Sequence, residues 1–250
     1  MKYYSRSQHW SFNDGPKFLH TTIIFKDNSD YYITQSGDPD IGVLEPIDMT
    51  LLEPKKIPLE HISPLWEKGL TICPEPNRNG IFKKTPDLPS YDGSPRLANP
   101  MLEEARVCET ILHHPHPNVA LYLGCVVADG RITALCFERY SQTVEDQLSM
   151  GRKIDRHHFL TQVQRGLGHL HSLDLVHNFI WPGSIMSADG HGERFVIINF
   201  GLCVRRGSAL PQTLDPIPVL DNATTAEFEN DEFAFQKLIE EFDERQRGVD

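Results

Sequence analysis

At 250 residues, with 39% hydrophobic and 24% charged residues, the chain has the length of one large or two small domains and the composition of an ordinary globular protein. A formal net charge of -11 works against nonspecific attraction to nucleic acid or an anionic membrane, which leaves a protein of unspecified identity as the expected partner. The five cysteines are scattered without a CxxC pair and read as buried reduced thiols, and no apolar run reaches the ~18 residues of a membrane span, so an intracellular, cytoplasmic protein is predicted.

Residues 1–16 are polar and aromatic without a period, and no element is predicted there. Phe18 to Phe25 is β-branched and answers Tyr31 to Thr34 across a KDNSD turn, which predicts a hairpin. From Gly37 to about Arg78 the recurring prolines forbid long regular elements and predict a wrapping segment with short strands. Gly80 to Lys84 (GIFKK) reads as a short strand with Phe82 and Lys84 on one face. Asn99-Pro100 supplies a cap and a first-turn proline for a helix reaching about His113, with Met101, Ala105, Cys108 and Leu112 as its buried stripe. Glu104 lies one step off that stripe and can reach inward.

Val119 to Tyr140 predicts a buried hairpin turning through Asp129-Gly130. A helix over Arg156 to Ser172 is capped by Asp155 and carries Phe159, Leu160, Val163, Leu167 and Leu170 at helical spacing. Gly166-Leu167-Gly168 sits inside that helix and reads as close packing, not a nucleotide fingerprint. After a polar-aromatic loop, Ile185-Met186 and Phe195 to Ile198 pair around Asp189-Gly190, followed by Asn199-Phe200-Gly201. Asn230 is expected to cap a last helix with Phe235, Leu238, Ile239 and Phe242 on one side, an apolar face open to association. His113, His114 and His116 fit the spacing of no closed metal site, and no metal is predicted.

A strand with lysine, a helix with glutamate, an HPN loop, a buried hairpin, a long helix, a histidine-containing loop, a hairpin and NFG follow one another, an order that resembles the protein kinase fold over roughly Gly80 to Glu241. PHPNVALYLGCVVADGRITALCFERY together with HLHSLDLVHNFIWPGSIM is similar to a group of fungal kinase-like proteins whose corresponding loop reads HNDINPSNIM. The resemblance implies an α+β, bilobal protein kinase-like fold with a β-rich N-lobe and a truncated helical C-lobe. It implies an N-terminal extension and irregular part of the N-lobe at 1–79, an N-lobe core at 80–140 and a C-lobe at 141–250. Lys84 would grip nucleotide phosphates with Glu104 as its helix partner, Lys83 and Glu109 being the competing choices. Phe137, Glu138 and Tyr140 would belong to an adenine-binding hinge, His177 would be structural, and Asp231 would anchor the loop.

The departures from that pattern fall on the chemistry. Phe179 stands at the catalytic aspartate's position and can accept no proton. Trp181 replaces a lysine or asparagine, Ser184 a metal-binding asparagine, and Asn199 the magnesium-holding aspartate, so magnesium is not expected while ATP stays open as a ligand. A glycine-rich loop before Lys84 is missing, and Phe179 and Trp181 are expected to fill the vacated cleft. The resemblance therefore implies a catalytically inactive binding or scaffolding module. The alternatives are a nucleotide-binding module without phosphotransfer, and a weak Ser/Thr kinase using Lys84, Glu104 and a substitute carboxylate such as Asp174 or Asp189.

Overall fold

The computed structural model describes residues 1–12, 15–28, 30–41, 52–188, 192, 194–211 and 223–247, and splits the chain into Met1–Leu65 with Thr85–Met101 as a first unit and Trp66–Lys84 with Leu102–Asp250 as a second. Strands dominate toward the N-terminus and helices follow, an α+β content as expected. The expected turn at Asp189-Gly190 lies outside the described residues.

In the first unit, β1 (Lys2–Ser11), β2 (Lys17–Asp27), β3 (Asp30–Ser36) and β4 (Lys55–Lys56) form an antiparallel sheet in that order. The expected hairpin is β2 with β3, Ile24 standing opposite Ile33 and Phe25 opposite Tyr32. Among the described residues between the prolines, β4 and the one-turn helix α1 (Leu59–Ile62) form, α1 starting directly after Pro58. Ile24, Ile57, Ile62 and Leu88 make a shared core against Tyr31, Ile33 and Leu97, each contributing roughly 1.5–3 kcal/mol by burial. The absence of an element at the N-terminus is corrected: β1 pairs with β2 through nine residue pairs. None of its residues is buried, so neither face carries the alternation by which a half-buried strand is recognised.

In the second unit, β5 (Ile81–Lys84), β6 (Tyr122–Ala128) and β7 (Arg131–Glu138) form a sheet ordered β5-β7-β6. Asp129 and Gly130 turn the β6-β7 hairpin with φ of 50° and 72°, the left-handed pair that a two-residue turn requires. The outer edge of β6 is covered by Thr71–Cys73: Cys73 N donates to Cys125 O at 2.9 Å and Cys125 N to Thr71 O at 2.8 Å. Gly124 permits this approach, because a Cβ there would lie 2.7 Å from Cys73 N and its φ is +112°.

Helix α2 (Ala98–His113) begins one residue before the expected cap, after a 3-10 turn led by Pro95. Pro100 still fits, since first-turn N–H groups have no helical acceptor. Its buried side at the C-terminal end is Cys108 and Ile111 rather than Leu112.

Short α3 (Val144–Ser149) follows β8 (Gln142–Thr143), and α4 (Arg156–Ser172) starts as predicted, Asp155 accepting from His158 N at 2.7 Å. Close packing holds for Gly166, where a Cβ would lie 2.7 Å from Asn118 O. It fails for Gly168, which has open space. β9 (Leu175–Val176), β10 (Ile185–Ser187), β11 (Phe195–Ile197) and β12 (Val204–Arg205) pair as β11-β10-β8 and β12-β9.

Helix α5 (Phe228–Arg247) starts before Asn230, so Asn230 is not its cap. Its side chain donates instead to Thr225 O at 3.0 Å. The open apolar face expected on this helix is corrected. Leu238 and Phe242 are each 1% exposed, and Phe242 stacks on Phe159 with centroids 4.9 Å apart. Arg156 with Asp243 and Arg245 with Glu145, both at 2.6 Å, hold the helix against α4 and α3.

Candidate functional site

Strand β5 and helix α2 bring one lysine and one carboxylate together. Lys84 Nζ lies 2.7 Å from Glu104 Oε1, with Glu104 buried and Lys84 one-third exposed at 33%. Period two and period 3.6 select these two from their neighbours. Lys83 points the other way and donates to Asn77 Oδ1 at 2.8 Å. Glu109 accepts from Thr71 N at 2.9 Å and Thr71 Oγ1 at 2.5 Å, which fixes the segment covering β6. This segment, in the stretch where the sequence lacks a glycine-rich loop, carries its N–H groups into β6 and Glu109.

Asn199 closes the cluster, its Oδ1 accepting a second bond from Lys84 Nζ at 3.0 Å. The residue has φ 66°, a left-handed conformation that asparagine tolerates better than most side chains. At Gly201 a Cβ would stand 3.4 Å from Lys84 Nζ, so the backbone passes directly beside the ion pair.

The loop after β9 is held from beneath by Asp231. Its fully buried carboxylate accepts from His177 N at 2.8 Å, Asn178 N at 2.7 Å and His171 Nε2 at 2.9 Å. His177 Nε2 donates to Ile198 O at 2.9 Å while Nδ1 faces Phe179 N at 3.3 Å, which places the proton on Nε2. Burial pushes this imidazole below its ordinary value despite Asp231 and the Ile198 carbonyl, and Lys84 adds to the effect. Asn178, unremarked in the sequence, ties the loop to the segment after NFG by donating to Leu202 O at 2.9 Å. Only the pairing of β9 with β12, formed by residues 28 positions apart in register Val176 with Val204, makes that role visible.

The positions at which the resemblance implies departures take up structural work. Phe179 is partly buried, its ring 5.9 Å from Trp181. Trp181 does not fill a buried cleft, as was expected: it is 38% exposed and lies over Gly183, where a Cβ would come within 2.3 Å of the indole. Ser184 is fully buried, its Oγ accepting from Trp181 N at 3.0 Å and donating to Trp181 O at 2.9 Å. These donors do not fit magnesium: Asn199 offers a neutral oxygen already bound by a cation, and Ser184 is turned into its own loop. Among the described residues no group of three or more His, Cys, Asp or Glu converges as metal ligands.

Of the positions that the resemblance assigns to a hinge, Phe137 is buried between Tyr122 and Phe200 at centroid distances of 5.4 and 6.4 Å. Glu138 N donates to Leu121 O at 2.9 Å and Arg139 N to Gly80 O at 2.8 Å, so two backbone donors of this stretch already have acceptors. Tyr140 OH accepts from Leu121 N at 2.9 Å and donates to Glu138 Oε2 at 3.1 Å, and burial raises its phenol to about 12. Phe82, directly opposite Phe137 in the sheet, is 46% exposed beneath the Arg139 guanidinium at 5.9 Å.

Of the proposed substitute carboxylates, Asp174 is an exposed turn residue after α4 with φ 59°, and Asp189 lies outside the described residues. All five cysteines are free and buried. Burial drives Cys108 and Cys203 well above the ordinary thiol value and Cys136 to about 12. Among the described residues no helix is long and apolar enough to cross a membrane.

No known family model matches the sequence, and no curated protein matches it. Among solved structures the chain is similar to a chain of the yeast RNA polymerase II CTD kinase CTDK-1 complex, at 17% identity and a TM-score of 0.48. The match covers 66% of this chain and 54% of that one, so this chain spans about half the length of the structure it matches.

Proposed function

We propose that the second unit is a protein kinase-like module of the fungal kinase-like type that does not transfer phosphate and serves as an intracellular binding or scaffolding domain. The observation that carries the reading is the cluster at Lys84. Among the described residues Glu104 is the only carboxylate in ion-pair reach of that lysine, and the third member of the cluster is the neutral Asn199 amide. Phe179 offers no base, and Ser184 and Asn199 make no site for a hard cation. The frame that holds these residues, Glu104 on Lys84 and Asp231 under His177 and Asn178, is intact, which supports a domain retained for its shape.

Incubation with labelled ATP, magnesium or manganese, and a general protein acceptor is expected to give no transfer above a heat-killed control. Reproducible transfer that disappears in Lys84→Met would replace this reading with that of a weak Ser/Thr kinase. The formed Lys84–Glu104 pair favours one second reading, ATP as a structural ligand without chemistry. Thermal melting with and without millimolar ATP decides it, because a ligand of the native state raises the melting temperature. No shift leaves the scaffold alone.

A further inference from the structure

Within the second unit a cavity of about 140 Å³ opens between the end of α2, the start of β6, the end of β7 and the residue before β11. Its floor is apolar: Ile111, Val119, Ala120 and Tyr122 are each 4% exposed or less. Protein interiors are packed to the density of organic crystals, so a recess of this size withholds packing from all of these side chains. An apolar group of matching size restores those contacts and releases the water held against the floor.

Two opposite charges stand at the rim. Glu138 and Arg194 both line the cavity and both are half-buried, yet they do not pair with one another, and among the described residues neither has an ion-pair partner. Tyr140 holds them in place. Its hydroxyl accepts from Leu121 N at 2.9 Å and donates to Glu138 Oε2 at 3.1 Å, while its ring lies 6.0 Å from the Arg194 guanidinium. One such bond leaves the carboxylate further acceptor sites, and the guanidinium keeps its N–H donors.

A ligand that completes this arrangement carries both charges. A simple anion would serve Arg194 and oppose Glu138, and a simple cation would do the reverse, whereas an ammonium and a carboxylate on one carbon satisfy the two together. Size sets the rest of the molecule. An apolar cavity of about 150 Å³ admits a benzene, so a branched aliphatic side chain fits this floor and an indole exceeds it.

We propose that this cavity binds a free α-amino acid with a branched aliphatic side chain, its ammonium on Glu138, its carboxylate on Arg194 and its side chain against Ile111, Val119 and Tyr122. The site shares no residue with the Lys84 cluster and is independent of the reading given to it.

Isothermal titration calorimetry of the full chain with L-leucine is expected to give a Kd below ~1 mM. Isocaproate lacks the ammonium and L-leucinamide the carboxylate, and each is expected to bind at least ~10-fold more weakly, since a hydrogen bond to a charged group contributes about that factor. L-Tryptophan is expected not to bind. Glu138→Gln and Arg194→Gln are each expected to weaken L-leucine by at least ~10-fold. The first keeps an oxygen for the Tyr140 hydroxyl, and circular dichroism checks the fold of both. No heat with wild-type protein at about 10 mM L-leucine would overturn the proposal. So would either analogue or L-tryptophan binding as tightly as L-leucine, a tight L-leucinamide marking a seat for the first residue of a peptide instead. Retention of the wild-type Kd in both variants would place the ligand elsewhere and equally overturn it.

Discussion

Asp231→Asn tests what holds the loop that carries Phe179 and Trp181. The substitution preserves volume and leaves one acceptor oxygen, but it places an NH2 group where a carboxylate oxygen now accepts. Oδ2 takes two donors, His177 N at 2.8 Å and His171 Nε2 at 2.9 Å, and Oδ1 takes Asn178 N at 2.7 Å. The lowest-energy orientation keeps the amide oxygen at the Oδ2 place. Asn178 N–H then faces another donor in a site with no solvent exposure. Losing one bond to a charged acceptor, and reducing two others to bonds with a neutral one, costs about 2–4 kcal/mol. At ~2–4 °C per kcal/mol for a chain of this size, the melting temperature falls by roughly 5–15 °C. Urea unfolding followed by circular dichroism measures the loss. Asp243→Asn is the control, because its pair with Arg156 is on the surface and contributes under ~1 kcal/mol. A loss below ~1 kcal/mol for Asp231→Asn, equal to the control, would refute the claim that this carboxylate fixes the loop.

The two glycines of α4 should respond in opposite directions. Gly166→Ala drives a methyl to 2.7 Å from Asn118 O and 2.8 Å from Ile197 Cδ1, an overpacking of about 1–3 kcal/mol. Gly168→Ala meets nothing and gains roughly 0.5–1 kcal/mol of helix propensity, so a higher unfolding midpoint at 168 and a lower one at 166 are expected in urea. Phe242→Asp puts a carboxylate into the stack with Phe159 and is expected to abolish the fold by circular dichroism; a folded protein with altered association would restore the open-face expectation.

Stability should also fall in mild acid. Burial lowers the folded-state values of His177 and His116 from 6.5, with His169 and Arg165 adding to the shift at His116. The unfolded chain therefore binds these protons first. Their contribution is complete above about pH 6.5 and is lost as pH drops from there toward the folded values. Unfolding midpoints that stay flat between about pH 7.5 and 5.5 would contradict it.

Much of the second unit was legible because local rules there agree with tertiary ones. Asp155 caps α4 and Asp129-Gly130 turns the β6-β7 hairpin, as single-residue preferences require. The pairing of Lys84 with Glu104 was implied by the resemblance, and strand and helix spacing added only that the two side chains can reach one another. The misses have a common source in partners distant along the chain. β1 has no pattern because nothing described buries it, and its strand is imposed by hydrogen bonding to β2. Asn230 had the chemistry of a cap, but the helix starts earlier at Phe228 and Asn230 turns back to Thr225 O. The exposure of Phe242 was misjudged because its cover, Phe159, lies 83 positions away on α4.

The sequence by itself determined what the side chains at two positions can offer. A phenyl ring at 179 and carboxamide at 199 lack a base and a full charge in any conformation. Only the tertiary structure decided what the remaining groups do instead, because that depends on neighbours rather than on residue type. Glu104 and Asn199 converge on Lys84 from α2 and from the turn after β11, Glu109 is drawn away to Thr71, and Asp231 reaches back to the N–H groups of a loop more than fifty residues earlier.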